Sequence, residues 1–323
     1  MSARAIVAGV FVATLLTALP LALTMRGLIE AHLGRSAMAD RAADGVNYDW
    51  WQEFTSQATG VGTTFTPSVI GFAATLDNVS SLLDGQRETL PVLAALATYL
   101  LVWTFLSGGI LDRYARQRPL RAHGFFAAAG VFFWRFLRLA LVSGLGYWFL
   151  FTSVHGWLFD DLYPRMTRDL AVERTAFAWR AGLYAVFVLL LAMTTVIFDY
   201  ARIRTVVEDR RSAIGALLAA LAFIGRNPGR VTGLYALNAL TFLAVIAIWA
   251  VAAPGAGGAG AGMWLSFAVS QLYVLARLLV KLQFLASETA LFQARLAHAA
   301  YTAAPPPLWP ESPAAEAIVH SGV

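Results

Sequence analysis

Six long apolar runs leave this chain little choice of fold. They fall at about residues 5–25, 90–111, 139–159, 181–198, 231–253 and 263–286. Each is close to the roughly 20 residues a helix needs to cross the about 30 Å hydrocarbon core of a bilayer. The polar surface to wrap such runs in water is missing: 59% of residues are hydrophobic and 13% are charged. An ordinary soluble domain has about 45–50% apolar and about 25% charged residues. The expected architecture is all-α, a polytopic transmembrane helical bundle forming one domain over residues 1–300. The remainder, 301–323, carries five prolines and reads as a disordered tail.

The segments between the runs are uneven. Residues 26–89 form a long loop with eight acids and four arginines. Its Tyr48, Trp50 and Trp51 suit a membrane interface, where amphipathic rings settle. A helix is predicted to begin near Pro67 with Thr66 as its cap. The first run is about 21 residues long and its small-residue site, Ser36 to Ala39, lies far beyond it, which favours a retained signal anchor over a cleaved signal peptide. Two further apolar stretches, Gly124–Trp134 and Ser212–Gly225, are too short to span and sit between basic residues. They predict two interfacial elbow helices. Residues 160–180 read as a charged loop, and Pro254–Gly262 as a Gly-rich turn.

One motif occurs twice. Asp112-Arg113-Tyr114-Ala115-Arg116-Gln117-Arg118 and Asp199-Tyr200-Ala201-Arg202-Ile203-Arg204 share an acid followed by Tyr-Ala-Arg-x-Arg. Each follows a long apolar run and precedes an elbow stretch and another run. Residues 90–159 and 181–253 therefore read as a parallel internal repeat, one of the ways transporters are built. The hinge residues Asp112, Tyr114, Asp199 and Tyr200, with Glu288 at the end of the sixth run, are candidates for a structural polar hinge. Their acids are expected to pair with arginines of the neighbouring copy, or the hinges to line a vestibule for an anion.

The basic residues set an orientation. Fourteen Lys and Arg fall on segments 1–4, 112–138, 199–230 and 287–323, and eight on 26–89, 160–180 and 254–262. The positive-inside rule then places both termini and both hinges in the cytoplasm. The net charge of +5 is explained by topology and anionic headgroups, not by nucleic acid. The Ala, Arg, Gly and Leu bias suggests a bacterial chain, hence an inner membrane.

The sixth run carries the least ordinary residues. Ser270, Arg277, Lys281 and Glu288 are spaced by seven, four and seven, one face of a helix. A charge inside a membrane helix marks function by default. Arg277, Lys281, Arg116 and Arg202 are therefore the candidate ligands for an anion or lipid headgroup. The plainer alternative is that Arg277 and Lys281 snorkel to lipid phosphates or pair with Asp112 and Asp199.

Little else points to chemistry. There is no cysteine, and no nucleotide-binding, nucleophile-elbow or zinc-protease motif. The five histidines lack metal spacing. His155 beside Asp160 and Asp161 permits a Ser/His/Asp reading on paper only. No catalytic residue, metal ligand or cofactor is expected.

Gly108-Gly109, the two elbow stretches and the Asp199–Arg204 hinge resemble a group of bacterial six-span membrane proteins. The group includes YciC-like proteins and the membrane domain attached to some glycerophosphodiester phosphodiesterases. The resemblance covers roughly residues 90–300 and implies a fold and a membrane location; the long loop 26–89 departs from it. The expectation is a non-enzymatic membrane protein that binds or moves a lipid or other anionic amphiphile. The alternative is a scaffold or accessory subunit with a membrane-protein partner.

Overall fold

The computed structural model describes residues 3–43, 47–65, 80–81, 83–85, 89–117, 121–253 and 260–298. The helix proposed near Pro67, most of the Gly-rich turn and the proline-rich tail lie outside them. The described residues contain no strand. Their main helices are α1 (Ala3–Leu33), α2 (Tyr48–Gln57), α3 (Leu90–Arg116), α4 (Ala122–Thr167), α5 (Glu173–Val207), α6 (Ala213–Arg226), α7 (Pro228–Ala252) and α8 (Ala261–His298). Six of these, all but α2 and α6, are long and apolar enough to cross a membrane. The chain is a multi-pass, all-helical membrane protein.

Local chemistry explains most of the boundaries. Pro91 lies in the first turn of α3, where its missing N–H costs nothing, and Gln117 ends that helix in the left-handed region at φ 52°. Ser212 caps α6 by accepting from the Gly215 N–H at 3.1 Å. Asn227 closes α6 and Pro228 opens α7.

One expectation is corrected here. Gly124–Trp134 is not a separate elbow but the first turns of α4, which runs unbroken for 46 residues. Arg135 and Arg138 do not end it. Arg138 bonds back to the Trp134 carbonyl at 3.2 Å, and Arg135 reaches across to Asp209. No Pro or Gly stands between residues 131 and 143 to stop the helix. At its other end α4 passes through two π-helical segments, Leu150–Val154 and Trp157–Leu162, and continues to Thr167. Asp160 and Asp161 are therefore helical, not in a loop. At 1.5 Å per residue α4 is on the order of 70 Å long, over twice the hydrocarbon thickness, so both ends project. The other elbow, α6, is a separate short apolar helix.

The core is concentrated at one end. Ile6 and Val10 of α1, Ile110 and Leu111 of α3, Phe125 and Phe136 of α4, Ile203 of α5, Val231 of α7 and Phe292 of α8 belong to one buried cluster. All lie toward the ends that carry the Tyr-Ala-Arg-x-Arg stretches. A second, smaller cluster joins Leu150, Leu158, Leu183 and Phe187 where α4 meets the start of α5. Between these, the remaining halves of α1, α7 and α8 turn Leu16, Leu240, Ile248, Trp264 and Leu272 outward. In lipid such faces carry no hydrophobic penalty, so close packing decides which surfaces stay together. Gly109 shows how close: a Cβ there would stand 2.7 Å from the Phe125 carbonyl oxygen, so α3 and α4 meet backbone to backbone.

Candidate functional site

The hinge end of α5 and the matching stretch of α8 carry a polar cluster inside the bundle. Asp199 is buried and accepts from Arg202 Nη1 at 3.0 Å, one turn along α5. Next to Asp199, Tyr200 is 1% exposed, and its hydroxyl has no hydrogen-bond partner among the described residues. On α8, Glu288 is 1% exposed with neither carboxylate oxygen hydrogen-bonded. Asp199, Tyr200 and Glu288 are close enough to act on one another electrostatically, and Arg202 acts on both acids. Two carboxylates therefore share the field of one guanidinium.

Lys281 lies two turns before Glu288 on α8. Its ammonium donates to the Tyr99 hydroxyl at 3.0 Å and sits over the Trp103 ring, 3.5 Å from the centroid. Tyr99 and Trp103 are one turn apart on α3, so they present a polar tip and an aromatic face to one cation. Arg277, one turn further along α8, is exposed and lies over the Tyr273 ring at 5.5 Å. Among the described residues no carboxylate lies within ion-pair distance of Arg277 or Lys281. Two cations one turn apart repel, and nothing anionic bridges them.

The hinge acids are paired, but not as expected. Asp112 accepts from Arg116 Nε at 2.9 Å, within its own hinge. Asp199 likewise pairs within its own hinge. Among the described residues neither acid bonds an arginine of the other hinge, nor Arg277 or Lys281. The reason is spacing: acid and arginine are four apart in one hinge and three apart in the other, and both separations meet on a helix. Tyr114 is half-buried against the main core cluster. Arg277, Lys281 and Glu288 share a face of α8 but not an environment, grading from exposed to buried over eleven residues.

Several participants carry no motif. Tyr147 on α4 shares a hydrogen with Thr195 on α5 at 2.7 Å. Asn238 on α7 is 1% exposed, donates to Ser287 at 2.8 Å and accepts from Gln283 at 3.1 Å, joining α7 to α8. The usable signal was a polar or polar-tipped residue inside an apolar run, which holds for Tyr99, Tyr147 and Asn238 alike. The His155 triad reading fails on geometry. His155 packs against Phe159 and Phe187, its Nε2 has no hydrogen-bond partner, and Asp160 and Asp161 are exposed.

What the site holds is charge and hydrogen-bonding capacity in an apolar frame. The crevice beside Tyr99 and Trp103, between α1 and α3, has room for only about 10 Å³, about one water probe. An anion would therefore meet Arg277 and Lys281 from the bundle surface, not through this crevice. No protein-family model, curated protein or solved structure matches the chain.

Proposed function

We propose that this protein is a non-enzymatic membrane protein that holds an anionic amphiphile by its headgroup, with Arg277 and Lys281 as the clamp. The observation that carries the reading is the pair itself: two cations one turn apart on α8, neither in an ion pair among the described residues. A phosphate or carboxylate lying across both would relieve their repulsion and accept charge-assisted hydrogen bonds. Acyl chains would lie along the uncovered apolar faces of α1 and α8. The proposed orientation puts both hinges and both termini in the cytoplasm, which makes this an inner-leaflet site in a bacterial inner membrane. Arg116, 52% exposed at its side chain, and Arg202 would serve as secondary contacts at the same leaflet.

The close packing around Lys281 favours holding over moving. The same packing supports a second reading, a scaffold or accessory subunit, in which the bound lipid is structural. Proposed too is the parallel repeat, with the two hinges as its equivalent points.

The test is mass spectrometry of lipids retained after gentle purification, comparing wild type with Arg277→Ala/Lys281→Ala. The expected result is one anionic species enriched over bulk membrane in wild type and lost in the variant. A retained profile that matches bulk membrane in both proteins overturns the clamp.

A further inference from the structure

At the opposite end of the bundle from the hinges, α1 and α2 enclose a cleft of about 340 Å³. That is the lower end of the size range of small-molecule sites, about 300–1,000 Å³. Leu28 and His32 line it from α1, Arg35 from the turn that follows, and Glu53, Phe54 and Gln57 from α2. The spacings of four, Leu28 to His32 on one helix and Glu53 to Gln57 on the other, set one face of each toward the gap.

The walls are fixed. Ser36 donates to Glu53 Oε2 at 2.8 Å, tying the end of α1 to α2. The His32 ring stands edge-on to Phe54 at 5.4 Å and to Trp50 at 5.8 Å. Trp50 is buried here and stacks on Phe54 at 5.4 Å, so it is a core residue of this cap and not an interfacial ring. Gly62 lets the following turn close on the same place, since a Cβ there would meet Leu28 at 3.3 Å and Ala58 at 3.2 Å.

The polar groups facing the cleft are incompletely used. Among the described residues neither Arg35 nor Glu53 forms an ion pair, although both line the same space. The cleft thus offers a guanidinium, a carboxylate with one oxygen free and an amide around an apolar floor of Leu28 and Phe54.

We propose that this cleft is a binding site for a small zwitterion, a molecule with an ammonium group for Glu53 and an anionic oxygen group for Arg35. A site that took only anions would be opposed by Glu53, and one that took only cations by Arg35. Two sources supply this chemistry: an ethanolamine phosphate headgroup, or a free amino acid. The proposal uses none of the residues of the headgroup clamp and stands apart from it.

The test is titration calorimetry on the full chain in detergent, with phosphoethanolamine and L-leucine as zwitterions. Ethanolamine and glycerol phosphate serve as single-ended controls. One zwitterion is expected to saturate the protein at millimolar concentration or below, with each single-ended control at least about tenfold weaker. Glu53→Gln keeps an acceptor for Ser36 and Arg35→Gln keeps a donor, so both should fold. Each should weaken the zwitterion by about tenfold or more at unchanged helicity. Binding of phosphoethanolamine alone assigns a lipid headgroup, and binding of leucine alone assigns a free solute. No saturable binding of either zwitterion, or equal binding in both variants, overturns the proposal.

Discussion

The two Tyr-Ala-Arg-x-Arg stretches have the same core letters and different surroundings. In the first, Asp112 stands one turn from the end of α3, and its partner Arg116 is half exposed. The helix stops at Gln117, whose side-chain amide reaches Gln293. In the second, α5 continues for eight residues beyond Asp199, and that extension is bonded throughout. Arg204 holds Glu208 through Nε and Nη2, reaches the Ala219 carbonyl of α6 and lies over Phe292 of α8 at 5.4 Å. Arg135 of α4 then takes Asp209. One hinge ends at the rim of the bundle, and the other ties three further helices to its centre. A short motif fixes a local pairing, acid to arginine one turn away, while the residues around it decide how much of the fold depends on it.

The chain beyond each hinge differs most, and that difference is the easiest to break. The first hinge leads into unbroken α4. The second leads into α6, a stop at Asn227, and α7 starting at Pro228. Leu137→Pro would insert the same breaker between buried Phe136 and Leu139, removing a helical hydrogen bond in mid-helix. It should cost about 3 kcal/mol or more. Pro228→Ala, at a position where proline costs nothing, should change stability by less than about 1 kcal/mol. Thermal unfolding in detergent reads both. Similar losses for the two variants would mean that the break is not what separates the regions.

Removing the arginines compares the hinges directly. Arg204→Ala strips Glu208 of its main partner where both side chains are mostly buried, and it should cost about 3 kcal/mol. Arg116→Ala removes a half-exposed partner and should cost no more than about 1 kcal/mol. A first-hinge loss as large as the second would refute the contrast between rim and centre.

Glycines sharpen the same contrast at the level of packing. Gly109→Ala drives a methyl into the Phe125 carbonyl and ring, and it should cost about 1–3 kcal/mol. Gly225 in α6 has open space where its Cβ would stand, so Gly225→Ala should stay within about 1 kcal/mol of neutral and favour the helix. Unfolding midpoints that move equally would show that the closeness of α3 and α4 does not matter.

What could be read in the sequence follows from which forces are local. The six crossing helices follow from apolar run length, because lipid demands self-satisfied backbone. The stop at Asn227-Pro228 is written in the residues themselves. Continuity of α4 was hidden, because Arg135 and Arg138 look like a boundary until Asp209 and the Trp134 carbonyl are seen to receive them. The face of α8 from Arg277 to Glu288 was visible as spacing. Its grading from exposed Arg277 through half-buried Lys281 to a buried acid depends on α3 and α5 packing against it, and spacing does not encode that. In the sequence nothing sets Tyr99 and Trp103 apart from ordinary span aromatics. Only their position opposite Lys281 gives them a part.

The smallest effect concerns acidity, and it too separates the hinges. Burial opposes charge on Glu208, but the hydrogen bonds from Arg204 and Arg210 outweigh it and hold the carboxyl below the ordinary glutamate value of 4.5. A group held lower in the folded state binds fewer protons there than when unfolded. Its stabilisation is then complete above the unfolded value and is lost as pH falls through the lower folded value. Wild type should therefore unfold at a higher temperature than Glu208→Gln near neutral pH, and the gap should close as pH drops below 4.5. The first hinge has no counterpart of Glu208, so the comparison is wild type against Glu208→Gln by thermal unfolding across this range. A gap for Glu208→Gln that stays constant from neutral pH into the acid range would mean that the carboxylate charge does not hold the second hinge. Arg204 would then hold α6 and α8 through the Ala219 carbonyl and the Phe292 ring.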